Sequence, residues 1–257
     1  MPESLQEMVR IHLVDGMVWH GEGKYDDAIA CFDKAIEIDP NVAEVRRWRG
    51  DAYGEKGDVD RAIADFDKAI AVDPNDATFY DDRGRAYAKK GEVDRALADY
   101  TKAIEIDPNF FNTYANRGLA YAERGDFDRV IADYDKALAL DPNDATAYNI
   151  RGDAHAQKGE HDRAIADFSR GLDIRPNFFL TYILRGDAYA EKGDVNCAIA
   201  DYNKVIALDP NGALGYASRG VAYESRGDVD RALADFRKAL EINPSEEDAK
   251  EGLKRLG

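Results

Sequence analysis

At 257 residues the chain is long enough for a large buried core or for a repeat array. With 44% apolar and 33% charged residues it has a folded rather than a disordered composition. The net charge of -16 argues against nucleic acid and anionic membrane surfaces, which need Lys and Arg, and no apolar run is long enough to span a bilayer.

The chain opens on MPESLQEMVR, which is polar and acidic, unlike a secretory signal. Cys31 and Cys197 lie far apart and make neither a disulfide framework nor a metal-ligand cluster, so two reduced thiols and a cytoplasmic location are expected. The next stretch, IHLVDGMVWH, is apolar on nearly every side of a helix. From there a fixed beat sets in. Pro40, Pro74, Pro108, Pro142, Pro176, Pro210 and Pro244 fall 34 residues apart, and two series of glycines, beginning at Gly16 and Gly23, keep the same spacing. Such a period signals a solenoid. Seven units follow, at 9–42, 43–76, 77–110, 111–144, 145–178, 179–212 and 213–246, with 247–257 as a closing segment; no linker interrupts them, so a single domain over 1–257 is expected.

Each unit reads as two helices. In 43–76 the first helix is predicted from about Ala43 to Lys56, where Gly57 breaks it. Asp58 or Asp60 caps the second, which runs to about Val72 with Ala62, Phe66 and Ala69 on one face. Pro74 stops that helix and Asn75 or Asp76 caps the next. Slot 7 of six units is Arg (Arg49, Arg83, Arg117, Arg151, Arg185, Arg219) and slot 23 of the same units is Asp (Asp65, Asp99, Asp133, Asp167, Asp201, Asp235). Both lie about equally far from the hairpin turn, so antiparallel helices predict a ladder of ion pairs with a structural role; a row of anion-binding arginines is the alternative. In the closing segment, Ala249, Leu253 and Leu256 are expected to face inward.

The pattern resembles the tetratricopeptide repeat. Slot 8 is Gly throughout. Slot 11 is aromatic at Trp19, Tyr53, Tyr87, Tyr121, Tyr189 and Tyr223, with His155 departing. Slot 20 is Ala except at Val130, slot 24 is always Phe or Tyr, and slot 27 is Ala except at Gly171 and Val205; these departures read as drift. The resemblance covers almost the whole chain. It implies an all-α, right-handed superhelical solenoid that binds another protein or peptide along a concave groove lined by the first helix of each unit, at slots 2, 5, 9, 12 and 13.

Slots 2, 5 and 9 give a gradient along the chain. Units two and three place Glu44, Arg47, Asp51, Thr78, Asp81 and Arg85 there. Units four and five place Asn112, Ala115, Leu119, Thr146, Asn149 and Asp153, and units six and seven Leu180, Ile183, Asp187, Leu214, Ala217 and Val221. Asn112, Asn116 and Asn149 suit an extended peptide backbone, since an amide both donates and accepts. Leu180, Ile183, Leu214 and Val221 are expected to form one apolar patch. Phe178 and Phe179, like Phe110 and Phe111, sit at inter-unit turns and are expected to pack on the preceding helix. Some relatives clamp the C-terminal carboxylate of heat-shock chaperones with Lys and Asn over three units; that set is missing here, where Asp81 and Arg85 are followed only by a matching Asn116. Leu13, Met17 and Trp48 put apolar side chains at the array end, which raises self-association as a possibility.

No catalytic constellation, cofactor motif or metal motif is present. His12, His155 and His161 stand in slots 4, 11 and 17, normally held by large side chains, and read as packing residues. The expectation is a non-enzymatic interaction scaffold without cofactor. Its alternatives are a self-assembling scaffold docking through the N-terminal repeat and the targeting arm of a larger enzyme.

Overall fold

Punctuation at the same repeat slots cuts the chain into helices. The computed structural model describes residues 3–257, and over these the helices are α1 (Glu3–Gly21), α2 (Tyr25–Ile38), α3 (Ala43–Glu55), α4 (Val59–Val72), α5 (Ala77–Lys89), α6 (Val93–Ile106), α7 (Phe111–Ala122), α8 (Phe127–Leu140), α9 (Ala145–Gln157), α10 (His161–Ile174), α11 (Phe179–Lys192), α12 (Val195–Leu208), α13 (Ala213–Ser225), α14 (Val229–Ile242) and α15 (Glu247–Leu256). There is no strand among the described residues. None of these helices is long and apolar enough to cross a membrane.

The second repeat shows how the boundaries arise. Gly57 adopts φ +85°, a left-handed conformation that a side chain would strain, and the Asp58 N–H returns to the Tyr53 carbonyl at 2.8 Å. Asp58 then caps α4, its carboxylate accepting from the Arg61 N–H at 3.2 Å, and Asp76 caps α5 by accepting from the Thr78 N–H at 2.8 Å. At slot 4 the hydroxyls of Tyr80, Tyr114, Tyr182 and Tyr216 each donate to the carbonyl of the preceding repeat's proline. Arg46 replaces tyrosine in the second repeat and keeps the bond, reaching Pro40 O at 3.1 and 2.9 Å.

The helices gather into two compact units, Met1–Gly125 with α1–α7 and Asp126–Gly257 with α8–α15, divided in the turn inside repeat 111–144. In the first, sequence neighbours pack along the series from α1 to α7, and Phe32, Phe66 and Tyr100 are buried at slot 24. A Cβ on Gly84 would stand 2.6 Å from the Tyr100 ring, which is why slot 8 holds no larger residue. In the second unit the same contact joins Gly186 to Tyr202. Its last repeat is closed by α15, which buries Ala249 and Gly252, with Leu253 and Leu256 packed alongside, over a core that includes Phe236. His155 is buried in the aromatic slot 11, and its Nδ1 lies 2.8 Å from Glu160 Oε2.

Candidate functional site

The slot-7 arginines form a ladder. Arg49 grips Asp65 through Nε and Nη2 at 2.8 and 2.7 Å, and Arg83–Asp99, Arg151–Asp167, Arg185–Asp201 and Arg219–Asp235 repeat this two-pronged geometry. Arg117 and Asp133 belong to different units. Nη1 reaches a further acceptor in the preceding repeat, at slot 25: Asp67 for Arg83 and Asp135 for Arg151 at 2.6 Å, Ser169 for Arg185 at 3.0 Å, and Thr101 for Arg117 at 3.2 Å. The hydrogen bonds to Asp99 raise the Arg83 pKa above its ordinary value against the effect of burial. Arg83, Arg151 and Arg185 thus each tie their own hairpin and also join it to the one before. Sequence reasoning missed slot 25, although the signal was there: six repeats carry an oxygen-bearing side chain at that slot, and the seventh, with no arginine after it, carries Arg237.

In the first unit α3, α5 and α7 bring Arg47, Asp81, Arg85, Asn112 and Asn116 together around an open pocket of about 430 Å³, with Thr78, Asp82 and Phe110 in its wall. Its charges are largely paired with one another. Arg47 Nη1 donates to Asp82 Oδ2 at 3.1 Å, Arg85 binds Asp82 and lies 3.6 Å from both Asp81 and Asp51, and Asn116 Nδ2 donates to Asp81 at 3.2 Å. Asp81 and Asp82 are buried, which pushes both carboxyls above the usual aspartate value against the opposing pull of their partners. Asp81 therefore stands behind the groove surface, holding Asn116, rather than on it. Asp82 at slot 6 escaped the sequence reading; its arginine partners three and 35 residues away were the available signal. Asn112 and Leu119 are exposed.

The second unit corrects three expectations. Ile183 is only 5% exposed and packs with Ala198, Ile199, Tyr202 and Val205, so it is a core residue and not a groove anchor. Asn149 is buried too, its Nδ2 donating to Thr181 Oγ1 at 2.8 Å, and is withdrawn from an incoming peptide backbone. Phe178 and Phe179, expected to be covered by the preceding helix, remain exposed beside Leu180, which is 42% exposed. Leu214 and Val221 are exposed, Asp153 is half-buried, and Asp187 is exposed and accepts from the Tyr202 hydroxyl at 2.7 Å.

Comparison with known proteins places this architecture. The TPR repeat family model matches residues 20–57, 50–91, 84–125 and 186–227, and Tetratricopeptide repeat models match 116–177 and 213–246. The chain belongs to the tetratricopeptide repeat family. No curated protein matches the sequence significantly. Among solved structures, the C-terminal part of a TPR repeat-containing protein from Cytophaga hutchinsonii is similar with TM-score 0.78 at 23% identity, over 93% of this chain and 98% of that one. YrrB, described as a TPR protein with an unusual peptide-binding site, gives 0.65 at 24% identity over 74% and 97%. MamA gives 0.59 at 28% identity over 63% and 94%. At their identities the first two speak for the fold alone. Within this tetratricopeptide repeat chain, slots 2 and 9 carry exposed side chains in most first helices, with Asp51, Thr78 and Asp153 half-buried. Slot 5 is recessed, being buried at Asp81, Asn149, Ile183 and Ala217 and partly covered at Leu13, Arg47 and Ala115.

Proposed function

We propose that the chain is a protein-interaction scaffold that takes an extended peptide segment of a partner. The observation that carries this is the pocket in the first unit, where three successive first helices contribute polar groups to one open cavity. Arg47 and Arg85 are braced by buried Asp82, so the pocket is preorganised and its guanidinium planes are fixed before a ligand arrives. Asn112 and Asn116 supply amides suited to a peptide backbone. In the second unit, exposed Leu180, Leu214 and Val221 offer apolar contact to side chains of the same kind of ligand. A partner with apolar anchors and some basic residues fits both this surface and the net charge of -16.

Peptide display on the immobilised chain tests the reading. The wild type should enrich sequences sharing apolar and basic residues. The Asn112→Ala, Arg85→Ala pair and the Leu180→Asp, Leu214→Asp pair should each lose that enrichment while keeping the helical circular dichroism signal. No enrichment, or enrichment that survives both pairs, overturns it.

A further inference from the structure

In every repeat after the first, slots 3 and 10 of the first helix are buried: Val45 and Ala52, Phe79 and Ala86, Thr113 and Ala120, Ala147 and Ala154, Thr181 and Ala188, Gly215 and Ala222. The preceding repeat covers them, as the approach of Val205 and Ile206 to Gly215 shows. On α1 the same two slots hold Ile11 and Val18, 48% and 55% exposed, with Val14, Met8 and Met17 exposed beside them. Val9 and Gly16, opposite, face the core. One side of α1 is therefore an apolar stacking face that none of the described residues covers.

Two features specify what covers it. Slot 10 is Ala in all six later repeats but Val18 here, so the face is too bulky for the close stacking of another ordinary repeat. Ile11, Val14 and Val18 instead follow the alternating three-and-four spacing of a helix–helix seam. Arg10 and Asp15 flank this seam on opposite sides, five residues apart, which is the offset at which parallel helices pair charges across a seam. Both side chains are exposed; Arg10 lies 3.4 Å from Glu7, where the apolar seam ends. We propose that the outer face of α1 binds a second copy of this chain, the two α1 helices packing in parallel about a two-fold axis, with Arg10 of each copy meeting Asp15 of the other. The opposite end of the chain does not compete for this face, because α15 already covers the last repeat.

Sedimentation equilibrium over a concentration series reads the outcome. The wild type should reach twice the chain mass and stop there. Ile11→Glu with Val18→Glu should stay monomeric with unchanged circular dichroism, since both residues are exposed. The single reversals Arg10→Asp and Asp15→Arg should each weaken the dimer about tenfold, and the two together should restore it. These two reversals replace exposed side chains on a folded helix, so they remain informative if the double glutamate variant unfolds. A wild type that is monomeric throughout, a mass that grows past two copies, a dimer indifferent to the glutamates, or a double reversal no better than the singles overturns the proposal.

Discussion

The amide oxygen of Asn149 lies 2.6 Å from the point where a Cβ on Gly171 would stand. Slot 27 is alanine elsewhere except at Val205, and both departures are compensations. Gly171 makes room for Asn149 on the facing helix, and Val205 fills the space above Gly215, whose Cβ would approach its Cγ1 to 2.9 Å. What reads as drift in a single repeat is complementary packing between helices.

Gly171→Ala should therefore destabilise. Helix propensity favours the alanine by about 0.5–1 kcal/mol, but Asn149 must shift and give up its bond to Thr181, a loss of about 1–2 kcal/mol. In an Asn149→Ala background the same substitution should stabilise. A double-mutant cycle by urea denaturation checks the reversal; the same sign in both backgrounds sinks it.

The ladder predicts unequal partners. Asp167 is buried and grips Arg151 with both oxygens, whereas Asp135 is about half exposed and takes one bond. Asp167→Ala should cost about 1–3 kcal/mol, because Arg151 is left partly buried and unpaired. Asp135→Ala should cost about 0.5 kcal/mol or less. Thermal and denaturant melts compare them, and equal losses would refute the assignment of slot 23 as the main partner.

Leu180→Asp and Leu214→Asp should leave the melting curve near wild type, since both leucines are exposed. Ile183→Asp, one turn from Leu180, should cost about 3 kcal/mol or more by placing a carboxylate among Tyr202, Ile199 and Val205. Equal tolerance of all three would contradict the burial of Ile183.

Carboxyl titrations should move in opposite directions. Asp81 and Asp82 are raised by burial above the ordinary value of 3.8, so their contribution to stability is complete below that value and is lost as pH rises through the raised folded values. Glu160 is lowered from 4.5 to about 2 by hydrogen bonds from Lys158 and His155; its contribution is present above 4.5 and is lost as pH falls toward 2. Carbon-detected NMR of the carboxyl groups checks the order, and an Asp81 midpoint below that of Glu160 would reverse the argument.

The repeating residues determined the backbone. Gly57 at the turn, Pro74 after the second helix and Asp58 and Asp76 at the caps each act through local conformation, within a few residues of themselves, so their effect is legible in order along the chain. The pairing of slots 7 and 23 was legible as well, because an antiparallel hairpin leaves little choice of register. Only the tertiary structure decided which variable side chains reach solvent. Slot 5 faces neighbouring helices, and its exposure depends on residues far along the chain: Thr181 draws Asn149 inward from 32 residues away, Asn116 holds Asp81 from 35, and Tyr202 and Val205 on the next helix enclose Ile183. The same dependence leaves Ile11 and Val18 bare, for what buries slots 3 and 10 elsewhere is the helix of a preceding repeat, and the periodicity of α1 carries no record of what lies across from it.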